Sequence, residues 1–250
     1  MNIKKLLSPS ESTLSRLNSI LPQIEEFSEE LRDLSDEQLK LKTRYFQKRL
    51  ELGEELGEMV PEALAVAREG AFRTHNLYAF RTQLLGALVL YEGNFAEMKT
   101  GEGKTLVVVL AAYILALQKK GLHVVTVNEY LVKRDAEFCR KTLNFLGLTV
   151  GFNTAKLPKH LKKEMFRCDV TYTTNSELAF DFLRDNMAST TKEVVLPPLN
   201  YAIIDEGDSV LIDEAGTPLI ISKTTDVSFK EYIEVDQAVK QLDELDFRVD

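Results

Sequence analysis

The spacing of hydrophobic positions changes near residue 94. Upstream, Leu14, Leu17, Leu21, Ile24 and Leu31 recur at three-four intervals, the spacing of helix faces that pack on a core. Pro22 falls inside that run and has no N–H to donate, so it is expected to kink the helix or restart it. "SDEQ", Ser35 to Gln38, is the capping-box pattern that opens a second helix. Pro61 suits the first residue of a third, running through "EALAVAREGAF". A packed face accounts for these helices better than a membrane-binding one. Lys4 and Lys5 beside Leu6 and Leu7 are the only hint of contact with an anionic membrane surface.

From Asn94 onward short apolar runs alternate with longer amphipathic ones. "NFAEM", "HVVTV", "TVGF", "DVTYTT" and "YAIID" read as strands. "KTLVVVLAAYILALQ", "EYLVKRDAEFCRKTLNFL", "KHLKKEMF" and "SELAFDFLRDN" read as the helices between them. That alternation predicts an α/β fold, a parallel sheet with helices on both faces, preceded by the N-terminal helices. No internal repeat or low-complexity segment interrupts it.

Composition narrows the function. A hydrophobic content of 44% is ample for a core, and 28% charged residues is ordinary for a water-exposed surface. The formal net charge of -8 argues against broad, non-specific nucleic-acid binding, although a local basic face is compatible with it. Cys139 and Cys168 are the only cysteines, so a disulfide framework or a Cys-rich zinc site is excluded. The three histidines lack metal-ligand spacing. With no apolar run of membrane-spanning length and no signal-peptide centre, a soluble, reducing compartment is the default expectation.

The chemistry concentrates in "AEMKTGEGKTLVVVLAAYILAL", Ala96 to Leu117. A glycine-containing turn here separates a predicted strand from a predicted helix. A helix start presents unpaired N–H groups and partial positive charge to an anion. Gly101 and Gly103 let the loop curl without a Cβ in the way of phosphates. Lys104 would reach the β/γ-phosphates and the Thr105 hydroxyl a magnesium ion. Met98 to Thr105 fits the P-loop pattern, except that Met98 stands where glycine is usual. A partner acid appears in "YAIIDEGDS": Asp205 and Glu206 follow an apolar strand, at the edge where ligands collect in open α/β sheets. Asp205 would hold magnesium through water, and Glu206 would orient and deprotonate the attacking water.

The segments "EMKTGEGKTL", "HVVTVNEYLVKRDAE", "FLGLTVG", "TYTTNSELAFDFLRDNM" and "IDEGDSVLIDEAGTPLIIS" stand in one order along the chain. In that order they closely resemble the SecA family, the ATPase motors of bacterial preprotein translocases. The resemblance runs from about "LSDEQL" to Ser222, and Met98 is usual in that family. It implies a P-loop, RecA-like first nucleotide-binding domain over residues 77–222. Residues 1–76 would be helices packed on that domain, and 223–250 the start of a preprotein-crosslinking domain. It places ATP at Gln83, as the adenine contact, and along Met98, Lys99, Thr100, Gly101, Glu102, Gly103, Lys104 and Thr105. Magnesium falls to Thr105 and Asp205, and catalysis to Glu206.

The resemblance further implies the Sec membrane channel (SecYEG-type), unfolded preproteins and an anionic membrane surface as partners, with a homodimer as an assembly. No nucleic-acid partner is expected, and the implied location is the cytoplasmic face of the cell membrane. Asn128, Glu177 and Arg184 carry two readings: simple helix capping and dipole complements, or parts of motor motifs that couple nucleotide to substrate. Gly207 and Gly216 stand where the family has "DEVDS" and "DEARTPLIIS". Their missing side chains are expected to spare binding and to bear on coupling. The stretch after Glu206 is too short for a second motor domain, which needs on the order of 100 residues or more. The chain is therefore expected to be the N-terminal part of a motor. Two rivals share the P-loop and "DEGD": a superfamily-two RNA or DNA helicase, and a nucleotide-binding interaction module without turnover. Acidic charge and the lack of a basic stripe with aromatics weigh against the helicase.

Overall fold

The computed structural model describes residues 9–221, 229–243 and 246. Pro22 restarts the first helical run, as its chemistry requires. Helix α1 (Pro9–Asn18) stops short of it, and α2 (Leu21–Leu31) begins with the proline in its first turn, where a missing N–H costs nothing. Leu17, Leu21, Ile24 and Leu31 are buried, while Leu14 stays largely exposed. The capping box opens α3 (Asp36–Glu51): Ser35 Oγ accepts the Gln38 N–H, and Gln38 Oε1 accepts the Ser35 N–H.

Helix α4 (Leu56–His75) corrects one expectation, since Pro61 lies inside it rather than at its start. The residues added in front, Met59 and Val60, are buried in the core. Their burial offsets the one helix hydrogen bond, to the Gly57 carbonyl, that a proline removes.

Helix α5 (Arg81–Tyr91) leads to α6 (Lys104–Ala116), which is apolar on every side and buried from Leu106 to Ala116. A helix of that kind has to be enclosed. Helices α4 and α5 pack on it, and Thr43 of α3 reaches the buried Tyr113 hydroxyl at 2.8 Å.

Four parallel strands follow: β1 (Leu122–Thr126), β2 (Val150–Phe152), β3 (Val170–Thr174) and β4 (Tyr201–Ile204), in the order β2-β3-β1-β4. Leu122 stands opposite Val170 on one side and Tyr201 on the other. The crossovers carry α7 (Glu129–Phe145), α8 (Lys159–Met165) and α9 (Asn175–Asn186). Helices cover both faces. Tyr172 of β3 lies against Cys139 of α7. Its neighbour Thr171 points the other way and donates to the Met165 carbonyl of α8 at 2.8 Å. His123 of β1 shares that second face, 5.6 Å from the Phe166 ring. This is the α/β arrangement expected from the alternation, and each matched boundary shifts by only a residue or two.

The predicted strand "NFAEM" is the exception: residues 94–98 form no regular element and pair with no strand. Asn94 donates instead to Val89 of α5, Phe95 is 77% exposed, and Met98 packs on the core. One apolar anchor and a start tied to a helix end leave the segment beside β4 without a ladder.

Two units divide the chain, Met1–Thr217 and Pro218–Asp250. The elements above belong to the first; the second holds α10 (Phe229–Val239). Among the described residues no helix is long and apolar enough to cross a membrane. Lys4, Lys5, Leu6 and Leu7 lie outside the described residues.

Candidate functional site

The loop before α6 has the backbone that its glycines permit. Gly101 and Gly103 take φ of 88° and 83°, the left-handed region that side chains disfavour. The Gly103 carbonyl accepts the N–H groups of Leu106 and Val107, so α6 starts immediately after the loop. The first N–H groups of that helix have no intrahelical acceptor. An anionic oxygen already sits on the loop, because the Lys99 N–H donates to Glu102 Oε2 at 2.9 Å. That is the fit a phosphate oxygen would need.

Gln83, near the start of α5, is buried against this loop. Its Oε1 accepts the Phe80 N–H, and its Nε2 donates to the Glu102 carbonyl, both at 2.9 Å. A Cβ on Gly103 would stand 2.3 Å from that Nε2, so any side chain there would displace the Gln83 amide as well as strain the backbone. In this structure Gln83 spends its amide on the loop and on its own helix start.

Across the site, the Asp205 N–H donates to Val125 at 2.8 Å and extends β4 by one residue. The chain then turns through Glu206 at φ 54°, a conformation uncommon for a side chain of its size. Burial pushes the Asp205 carboxyl above its ordinary value. The Glu206 N–H, 3.1 Å from its Oδ1, opposes this, buried Asp135 adds to it, and Lys104 and Arg134 favour the charged form.

A cavity of about 500 Å³ brings Met98 and Lys104 together with Asp205 and Glu206, between the 94–98 segment and β4. Phe95 and Leu211 supply apolar lining. Thr105, Gln83 and the loop residues Lys99, Thr100, Gly101, Glu102 and Gly103 are not among its lining residues. Gln83 is joined to the site through the Glu102 carbonyl. Among the described residues no group of three His, Cys, Asp or Glu could hold a metal. One carboxylate and one hydroxyl instead suit a magnesium ion coordinated chiefly by phosphate and water oxygens.

Two side chains beside the site stand outside its motifs. Asp135 is buried in α7, held by Arg134 through two hydrogen bonds of 2.8 and 3.1 Å, and both act on Asp205. A carboxylate on the buried side of an amphipathic helix was the available signal. Phe80, 74% exposed beside Gln83, had none.

Asn128 caps α7 through the Leu131 N–H at 3.0 Å. Glu177 and Arg184 do more than complement a helix dipole, since both join an ion cluster with Lys162 and Asp181. At Gly207 a Cβ would come 3.4 Å from the Phe95 ring, ordinary contact, and at Gly216 it would meet nothing within 4 Å.

Known proteins share this sequence over nearly its whole length. The SecA DEAD-like domain family matches residues 3–246. The protein translocase subunit SecA of Mycoplasmoides gallisepticum is 50% identical over 250 residues, covering 100% of this chain and 28% of that one. The subunit of the same name from Alkaliphilus oremlandii is 52% identical over 242 residues, 96% of this chain and 27% of that one. The chain thus spans little more than a quarter of the length of these curated relatives. A solved structure, a hypothetical ATP-dependent RNA helicase from Sulfolobus tokodaii, aligns over 69% of this chain and 46% of that one, at 23% identity and TM-score 0.45. Likeness of that degree carries no conclusion about activity. The family match covers the glycine loop before α6, both carboxylates and the sheet that positions them, and on that ground the chain belongs to the SecA DEAD-like domain family.

Proposed function

We propose that this chain is the nucleotide-binding portion of a SecA-type motor. Such a motor couples ATP binding and hydrolysis to movement of unfolded preproteins through the Sec membrane channel, at the cytoplasmic face of the membrane. The observation that carries this reading is one cavity lined by Lys104 from a glycine-bounded helix start and by Asp205 and Glu206 from a strand end. Relatives about 50% identical throughout bear the name protein translocase subunit SecA.

In this reading the loop from Met98 to Thr105 binds the phosphates and Gln83 releases one of its internal bonds to meet adenine. Thr105 and Asp205 hold magnesium, which when bound neutralises charge on the phosphates. Glu206 orients water and takes its proton on a carboxylate oxygen. An anionic membrane surface and a second copy of the motor complete the proposed partners.

Titration of the chain with a fluorescent ATP analogue tests the site. Lys104→Ala keeps the backbone cradle and removes the charge, so affinity is expected to fall by about 2 kcal/mol, roughly thirtyfold. Equal affinity for the two proteins refutes the P-loop assignment. In the longer protein, ATPase stimulation by channel and preprotein supports the translocase reading, and stimulation by RNA or DNA instead overturns it.

A further inference from the structure

Parallel strands share not only a C-terminal edge but an N-terminal one. At that opposite edge lies a second cavity of about 450 Å³, within the size range of small-molecule sites. Gly121 precedes β1, Asp169 precedes β3 and Asn200 precedes β4, and all three line it. None of its lining residues belongs to the nucleotide cavity.

Its charge is one-sided. Lys119, Lys120 and Arg167 face it, against the single acid Asp169. That acid is already engaged, its Oδ2 accepting both the N–H and the hydroxyl of Thr149 at 2.7 Å. Lys119 has a loose exposed partner in Glu51 at 3.6 Å. Among the described residues the side chains of Lys120 and Arg167 have no acidic partner. Beside Asn200 and Cys168, the lining has an apolar wall: buried Phe166, with Pro197, Pro198 and Leu199. The two prolines stiffen that wall and bring no N–H that would need a partner.

A bare inorganic anion would use the cations and waste the wall. A neutral apolar molecule would do the reverse. We propose that this cavity binds an amphiphilic anion, a phosphate or carboxylate on a short apolar body. Lys120 and Arg167 take the charge, and Phe166, Pro197 and Leu199 take the body. The inference is independent of the nucleotide reading.

Cys168 lines the cavity, whereas Cys139 is fully buried in the core, so alkylation reports on occupancy at a single position. The 250-residue chain is treated with neutral iodoacetamide at low ionic strength, and Cys168 modification is followed by mass spectrometry. Hexyl phosphate is expected to slow it saturably, at concentrations about tenfold below those needed of inorganic phosphate, with hexanol ineffective. The double variant Lys120→Gln, Arg167→Gln is expected to need about tenfold more hexyl phosphate while keeping its circular dichroism and its nucleotide affinity. Both side chains are exposed, so the fold does not depend on them. Vesicles containing phosphatidic acid distinguish the source: protection by them as well assigns a lipid headgroup, and protection by the monomer alone assigns a soluble ligand. Protection that does not saturate, that hexanol matches, or that the double variant retains unchanged overturns the site.

Discussion

Gly103 shows how much of this site one atom controls. Its φ of 83° and the 2.3 Å gap to Gln83 Nε2 both oppose a Cβ. Gly103→Ala is therefore expected to cost roughly 1–3 kcal/mol of stability and to push Gln83 off the Glu102 carbonyl. Urea denaturation and nucleotide titration together check this, and an alanine variant with native values in both would refute it. Lys104, Asp205 and Glu206 stand out in sequence as candidates because each sits in a short motif at an element boundary, and the structure brings them to one cavity. Arg134 and Asp135 do not, because only tertiary packing brings them to Asp205. A buried histidine, His123, and a half-buried one, His75, carry a separate consequence. Desolvation pushes His75 and His123 below the ordinary 6.5; for His75 a hydrogen bond to the Phe138 carbonyl opposes it and Lys141 adds to it. A depressed folded value means stability that is present above 6.5 and lost as pH falls towards the folded values. The urea midpoint should drop between about pH 7.5 and about pH 5.5, and His123→Leu should reduce that drop. An identical drop in the variant would exclude His123 as a contributor.

Charge joins helices α8 and α9. Lys162 Nζ lies 2.6 Å from Glu177 and 3.1 Å from both oxygens of Asp181, and the Lys162 and Asp181 side chains are only 7% and 2% exposed. Asn153, just past β2, donates to Asp181 at 2.7 Å, and Arg184 completes the cluster. Removing the lysine leaves two carboxylates with one half-exposed arginine for charge and the Asn153 amide on Asp181. Lys162→Met is thus expected to destabilise the chain by roughly 3 kcal/mol or more. A loss under about 1 kcal/mol in urea denaturation would show that Arg184 suffices alone. Sequence periodicity placed both helices but could not pair their charges, since Lys162 looks like one more lysine in "KHLKKEMF". The same limit explains "NFAEM". Its composition suits a strand, but pairing depends on what lies beside it, and here α5 takes the Asn94 N–H.

Seen whole, the cavity of Lys104, Asp205 and Glu206 supplies one wall of the proposed nucleotide site. Lys104 is the only cation among the described residues that line it, and Glu206 is exposed. Phosphoryl transfer in related NTPases gains about a thousandfold or more from an arginine directed at the developing charge. An open γ-phosphate position also stays hydrated, which weakens each electrostatic contact made to it. The chain covers 28% of the length of its Mycoplasmoides relative, so most of that protein's side chains have no counterpart here. Residues 1–250 alone are therefore expected to bind nucleotide weakly and to hydrolyse ATP barely above background. Supplying the C-terminal portion of a SecA relative as a second polypeptide should raise turnover, because the two parts would meet through an interface. Glu206→Gln in the mixture should abolish that gain, since an amide cannot take the water's proton. Phosphate release measured for the chain, the mixture and the Glu206→Gln mixture decides it. Robust release by the chain alone would mean that the wall seen here suffices for turnover. A gain that survives Glu206→Gln would remove Glu206 from the chemistry.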